Sequence, residues 1–386
     1  MATGMSTAGT VTTAIAPTLI KDNGWAQSDF ALVGSVALLT ALAFPFIGRL
    51  ADVLGVRKTA LIGMVALPLV YFAFSVMSGD LSGYVAIFAV QSVLCVTTTA
   101  TVYTRLVVQH IEKARGLALA IAASGPAISG AIGAPILNAY VEANGWRDSY
   151  TALTIFAVVM GVITFLLIPP EKKKAASTTT TPVKRRARDD YPAIFRTPAF
   201  WFLLGAMLLC NLPATIMLAQ LKLLLLANGV GGTTAGPMMA ALSIGMLVGR
   251  FIAGVSLDRF QAHIVSFLTL GLPSIGLFLF ASALDTTAVL TFAVFCIGFS
   301  FGAEGDIVGF LVARHFGVKV YSSVMGLLTF AMSFSTAAGA ALLGLTMAWT
   351  GTYNLYLVIS GIGVLIGAVL LLLLGNHRQQ AVPAAA

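Results

Sequence analysis

The feature that most constrains this chain is the regular return of apolar runs, each long enough to cross a bilayer. A helix needs roughly 20 residues, at about 1.5 Å each, to span about 30 Å of hydrocarbon. Twelve such runs begin near Ala2, Ser28, Thr59, Tyr84, Arg115, Tyr150, Phe200, Thr234, Ile264, Val289, Tyr321 and Thr352. The breaks between them are short and carry turn chemistry, as in Lys21-Asp22-Asn23-Gly24, Ser78-Gly79-Asp80, Asn144-Gly145 and Thr350-Gly351. With 58% hydrophobic and 9% charged residues, the 386-residue chain lacks the charges that would coat a water-soluble fold of its size. The expected class is an all-α polytopic membrane protein with twelve transmembrane helices in two six-helix, pseudo-symmetric halves.

Where the few charges lie matters more than their net value of +8. Between Glu171 and Arg196 there are eight Lys/Arg and three acids, a net +5 in one long connection rich in Thr and Pro. Such a stretch has no apolar period and reads as a linker. The expected division is an amino-terminal half over 1–170, a basic linker over 171–198, a carboxy-terminal half over 199–375 and a tail over 376–386. If the amino terminus is cytoplasmic, 19 of the 22 Lys/Arg fall on cytoplasmic loops or helix ends, and only Lys21, Arg147 and Lys222 fall outside. Both termini are therefore expected in the cytoplasm, with the chain in a bacterial inner (plasma) membrane. The first run has no charged segment before it and does not read as a signal peptide. A single basic loop in a nearly uncharged chain argues against a nucleic-acid partner. Cys95, Cys210 and Cys296 lie singly in apolar runs, and the four histidines have no ligand spacing, so no metal and no cofactor is expected.

The halves repeat. Gly48-Arg49-Leu50-Ala51-Asp52, ending the second run, is echoed by Gly254-Val255-Ser256-Leu257-Asp258, ending the eighth, with an offset of 206 at both Gly and Asp. Arg105 with Gly116 is echoed by Arg314 with Gly326. A Gly at a helix end admits a second helix closely, and an Asp four residues on shares its face and can accept from a neighbouring helix amino terminus. Gly48 through Lys58 resembles the loop signature G-x-L-a-D-x-x-G-x-[RK]-[RK] of the major facilitator superfamily. Within it, Gly145-Trp146-Arg147, Gly249-Arg250, Glu304-Gly305-Asp306 and Arg314-His315-Phe316-Gly317 resemble the monocarboxylate and oxalate/formate branch.

That resemblance implies the major facilitator fold and a cytoplasmic gate. Asp52 would face the start of helix 11, and Asp258 the start of helix 5 near Arg115. Arg105 and Arg314 would complete the two latches, with Arg57, Arg115 and Arg259 as flanking charges of the gate. It also implies that Arg250 binds a substrate carboxylate. The acid that the family carries one turn earlier is replaced here by Met246, and helix 11 lacks the Lys that a dianion carrier uses.

Ionisable groups inside an apolar helix cost a few kcal/mol each unless they pair or line water. Arg250, Glu304 and Asp306 are those groups. On a rise of 1.5 Å per residue, Arg250 and Glu304 lie at a similar depth, about 24 and 23 Å along helices 8 and 10. A mutual ion pair is one reading. Glu304 and Asp306 are about 200° apart around their helix, so at most one points straight at Arg250. The favoured reading has Glu304 near the cavity and Asp306 near Arg314 or the Asp258 latch. A guanidinium offers a carboxylate a planar, bidentate fork. Asn211, followed by Pro213, is either a substrate hydrogen-bonding group or an interhelical tie.

The expected function is secondary active transport of a small organic anion, a monocarboxylate, by alternating access, with a coupling proton at Glu304 or Asp306 or a counter-anion. The alternative is a major facilitator efflux carrier for apolar or cationic compounds. An enzyme is not expected, since no nucleophile, base or metal constellation appears. The expected partners are a small-molecule carboxylate and the lipid bilayer, with the protein acting as a monomer.

Overall fold

The structure is a computed structural model and describes residues 3–26, 30, 33, 36–169, 187–230, 232–282, 284 and 286–376. Among these residues all regular structure is helical. Helices α1 (Ala8–Asn23), α2 (Ala37–Leu54), α3 (Val56–Val76), α4 (Leu81–Leu94) and α5 (Ala100–His110) are followed by the long α6 (Arg115–Leu167). Then come α7 (Ala187–Arg196), α8 (Pro198–Cys210), α9 (Leu221–Ala227), α10 (Gly232–Arg259), α11 (Ala262–Ala281), α12 (Thr287–Phe316), α13 (Tyr321–Thr350) and α14 (Asn354–Leu373). A helix stands in each of the twelve apolar runs. Eight described helical segments are long and apolar enough to cross a membrane, or nine if the bent pair Asp190–Arg196 and Pro198–Cys210 is one span.

Local chemistry sets the boundaries. Pro198 sits in the first turn of α8, where its missing N–H costs nothing. Asp80 caps α4 by accepting from the Gly83 N–H at 2.7 Å. The Ser78 hydroxyl, then the Ser82 hydroxyl and the Gly83 amide, hold its carboxyl well below the usual carboxylate range. Within α6, Gly145 takes φ 79° and ψ 175°, a conformation closed to most residues, and divides the segment into the fifth and sixth runs. Between α4 and α5 the run Thr97, Thr98 and Thr99 turns its hydroxyls onto the carbonyls of Leu94, Cys95 and Val96, and the chain tightens into a 3-10 turn over Cys95–Thr98.

Two segments differ from the sequence reading. Of the expected linker, residues 171–186 lie outside the described residues, but Ala187–Arg196 is helical and buries Ile194 completely. Tyr191, Ile194 and Phe195 supply an i, i+3, i+4 apolar stripe that the surrounding charges mask in the sequence. The seventh run is not one helix: α8 ends at Cys210, a π-helical turn occupies Ile216–Gln220, and α9 follows. Pro213 removes the donor that would continue the ladder. Of the expected tail, residues 377–386 lie outside the described residues.

The chain forms two compact units. The first holds Met1–Leu106, Ala122–Asp189 and Val318–Leu327; the second holds Val107–Ile121, Asp190–Gly317 and Leu328–Ala386. In the first unit the core centres on Phe74, Tyr84 and Tyr150, with Phe74 4.9 Å from each of the other two ring centroids. Trp146 is buried beside Tyr150. Arg147 lies 4.2 Å over its ring and donates to the Met77 carbonyl at 2.7 Å, satisfying the exposed end of α3. In the second unit α10 packs along α12, α11 packs on α12 and α14, and α8 packs on α14.

Candidate functional site

Two helix amino termini are capped by carboxylates from other helices. In the first unit, Asp52 near the end of α2 accepts from the Ser322 N–H at 3.1 Å and the Ser323 N–H at 2.6 Å, at the start of α13. These are donors that a helix cannot satisfy internally, and they lie at its positive end. The Arg105 guanidinium also donates to Asp52, forming a buried ion pair. The Tyr321 hydroxyl donates to Thr104 Oγ1 at 3.1 Å. The two helices can approach this closely because Gly48 faces the Ser322 carbonyl and Gly326 faces the Phe44 carbonyl, each with no room for a Cβ.

The second unit repeats the device. Asp258 at the end of α10 accepts from the Gly116 N–H at 2.8 Å and the Leu117 N–H at 3.0 Å, at the start of α6. Gly116 and Gly254 are the matching close contacts. The expected cation is missing from this latch: Arg314 is exposed and makes no ion pair with Asp258. The reason is its place on the helix. Arg314 stands two residues from the end of α12, whereas Arg105 stands five from the end of α5. Arg115 turns away as well and donates its Nε to the Ile111 carbonyl at 3.1 Å. Arg57 stacks 4.3 Å over the Phe165 ring, and Arg259 is exposed at the end of α10.

The three charges expected inside the membrane, Arg250, Glu304 and Asp306, lie within the second unit. Gly249 of α10 sits against the Phe299 backbone and Gly302 of α12 against the Met246 backbone, so these helices meet without side chains between them. Arg250, next to Gly249, donates its Nε to the Gly302 carbonyl at 3.0 Å and lies 3.5 Å from Asp306 Oδ2. Asp306 is 2% exposed, while the Arg250 side chain keeps 19% of its surface accessible. This corrects the favoured sequence reading, which placed Asp306 near Arg314 or the Asp258 latch, and it replaces the Arg250–Glu304 ion pair with Arg250–Asp306. Glu304, about 200° round the helix, faces the seventh run instead. There the Asn211 side-chain amide donates to Glu304 Oε1 and to the Met207 carbonyl, the latter at 3.1 Å. Asn211 is therefore an interhelical tie. No group of three or more His, Cys, Asp or Glu side chains able to hold a metal occurs among the described residues.

Sequence reasoning missed the groups that replace the broken ladder of the seventh run. The Ser335 hydroxyl donates to the Leu208 carbonyl, the Thr215 hydroxyl to the Thr336 carbonyl at 2.7 Å, and the Tyr356 hydroxyl to the Leu212 carbonyl at 2.7 Å. Pro213 signalled the break; nothing local to Ser335 or Tyr356 signalled the repair.

The profile of the Major Facilitator Superfamily matches residues 1–329. The chain belongs to that superfamily. The MFS-type transporter pynF of Aspergillus niger is 24% identical over 348 residues, covering 85% of this chain and 75% of pynF. Among solved structures, the E. coli fucose:proton symporter FucP is similar with a TM-score of 0.75 and 12% identity, over 95% of both chains. The proton:xylose symporter XylE, solved with 6-bromo-6-deoxy-D-glucose, is similar with a TM-score of 0.73 and 11% identity, over 95% of this chain and 92% of that one. The protein thus has the all-helical major facilitator fold and is an integral membrane transporter of a small molecule, not an enzyme.

Proposed function

We propose that this major facilitator transporter carries a small organic anion, a monocarboxylate, together with a proton, and that it falls within the monocarboxylate and oxalate/formate branch. The observation that carries the reading is the Arg250–Asp306 pair between two glycine-packed helices. At rest the pair is neutral, which limits the cost of burying either charge. A substrate carboxylate taking the guanidinium fork displaces Asp306, and a proton on Asp306 restores neutrality. One monoanion then moves with one proton, and the loaded and unloaded sites carry the same net charge. Arg250 is the substrate-binding residue and Asp306 the proton carrier.

Alternating access fits the proposed division into halves over 1–170 and 199–375, joined by the linker 171–198 and followed by the tail 376–386. The Asp52 and Asp258 caps would close the cytoplasmic side. The Lys/Arg distribution supports cytoplasmic termini. A counterflow screen in proteoliposomes tests the substrate class. Labelled lactate, acetate or formate should exchange, with other monocarboxylates competing. Competition by cationic dyes but by no carboxylate overturns the reading in favour of efflux.

A further inference from the structure

Glu304 lies on the opposite face of α12 from the Arg250–Asp306 pair, and no Lys, Arg or His among the described residues pairs with it. It is 7% exposed. Its side-chain contact is the neutral Asn211 amide, which cannot balance a charge. Beside it lies a cavity of about 30 Å³ lined by Asn211, Pro213, Met217, Ser300 and Glu304 among others. That is about twice the least volume that one water needs.

Three features make this cavity attract positive charge. The carboxylate is the first. The second is the carboxy-terminal end of α8, which stops at Cys210 with Asn211 as its cap and directs the negative end of a 13-residue helix at the same place. Ser300 is the third. It stands one turn before Glu304 on the same face of α12, is 5% exposed, lines the cavity and makes no hydrogen bond among the described residues. Its hydroxyl is thus open to whatever occupies the cavity. Broken helices whose ends face a buried ion are a recurrent way to build such a site inside a membrane.

We propose that this cavity is a binding site for one small monovalent cation, sodium, with the Glu304 carboxylate, the Ser300 hydroxyl and the Asn211 side-chain oxygen as ligands. All three are hard oxygen donors, which suit such an ion. A single carboxylate balances a single positive charge; a divalent ion would leave an excess charge in the apolar interior. The site shares no residue with the proposed anion site, so a failure to transport carboxylates leaves it standing.

The purified full-length protein is to be melted in NaCl and in choline chloride at equal ionic strength and fixed pH. A ligand that binds only the folded state raises Tm saturably. Sodium should raise Tm where choline does not, and Glu304→Gln should abolish the rise. Ser300→Ala should shift the midpoint to at least about tenfold higher sodium. Equal melting in the two salts overturns the proposal, as does a sodium response that persists in Glu304→Gln. If Glu304→Gln fails to fold, an unchanged midpoint in Ser300→Ala overturns it alone.

Discussion

The Asp52 and Asp258 caps are one device built twice and finished differently. Each carboxylate ends a helix, each accepts two successive backbone N–H groups at the start of another, and each pair of helices meets at reciprocal glycines. Only Asp52 also holds an arginine, and only Asp52 is buried. Backbone capping is thus what the repeat preserves, and the ion pair is an addition on one side. A buried charge committed to a partner becomes expensive to strand, whereas an exposed cap exchanges its donors for water at little cost. If these contacts close the gate, closure rests more on Asp52 than on Asp258.

The largest test of this contrast is removal of each carboxylate. Asp52→Ala leaves Arg105 buried without its acid and should cost about 3–5 kcal/mol. Asp258→Ala removes an exposed cap and should cost about 0.5–2 kcal/mol. Denaturation of the two purified variants reads the difference, and equal losses would break the comparison. Next come the glycines, where the two sites should behave alike. Gly48→Ala and Gly116→Ala each place a Cβ against a facing backbone carbonyl, and overpacking of this kind costs roughly 1–3 kcal/mol. A well-tolerated Gly116→Ala would mean that the second contact is looser than its twin. The smallest effect belongs to Arg314→Ala, within about 0.5 kcal/mol because the side chain is exposed and unpaired, against a loss of several times that for Arg105→Ala.

Much of this was legible in the sequence, and the parts that were not share a cause. Apolar run length fixed where the helices stand, because in lipid a helix must satisfy its own backbone. The 206-residue offset of Gly and Asp pointed to both caps, since spacing along a helix determines a shared face. Arg314 misled because sequence equivalence does not tell how far a side chain stands from its helix end. Asp306 was assigned the wrong partner for a related reason. Periodicity separates Glu304 and Asp306 by about 200° but does not say which face meets α10. Gly249 and Gly302 decide that, by letting those two backbones touch at the level of Arg250. The small cavity at Glu304 had only Pro213 as an advance sign.

In the proposed cycle the Arg250–Asp306 pair carries a carboxylate together with a proton. This role is tested most directly by monocarboxylate flux in proteoliposomes holding wild type, Arg250→Lys or Asp306→Asn. Arg250→Lys keeps a charge beside Asp306 but loses the bidentate fork, so counterflow should fall at least about tenfold while the protein stays folded. Asp306→Asn should still exchange substrate but no longer accumulate it down an imposed pH gradient. Wild-type flux in Arg250→Lys, or undiminished proton-driven accumulation in Asp306→Asn, would mean that the pair does not carry the substrate and proton.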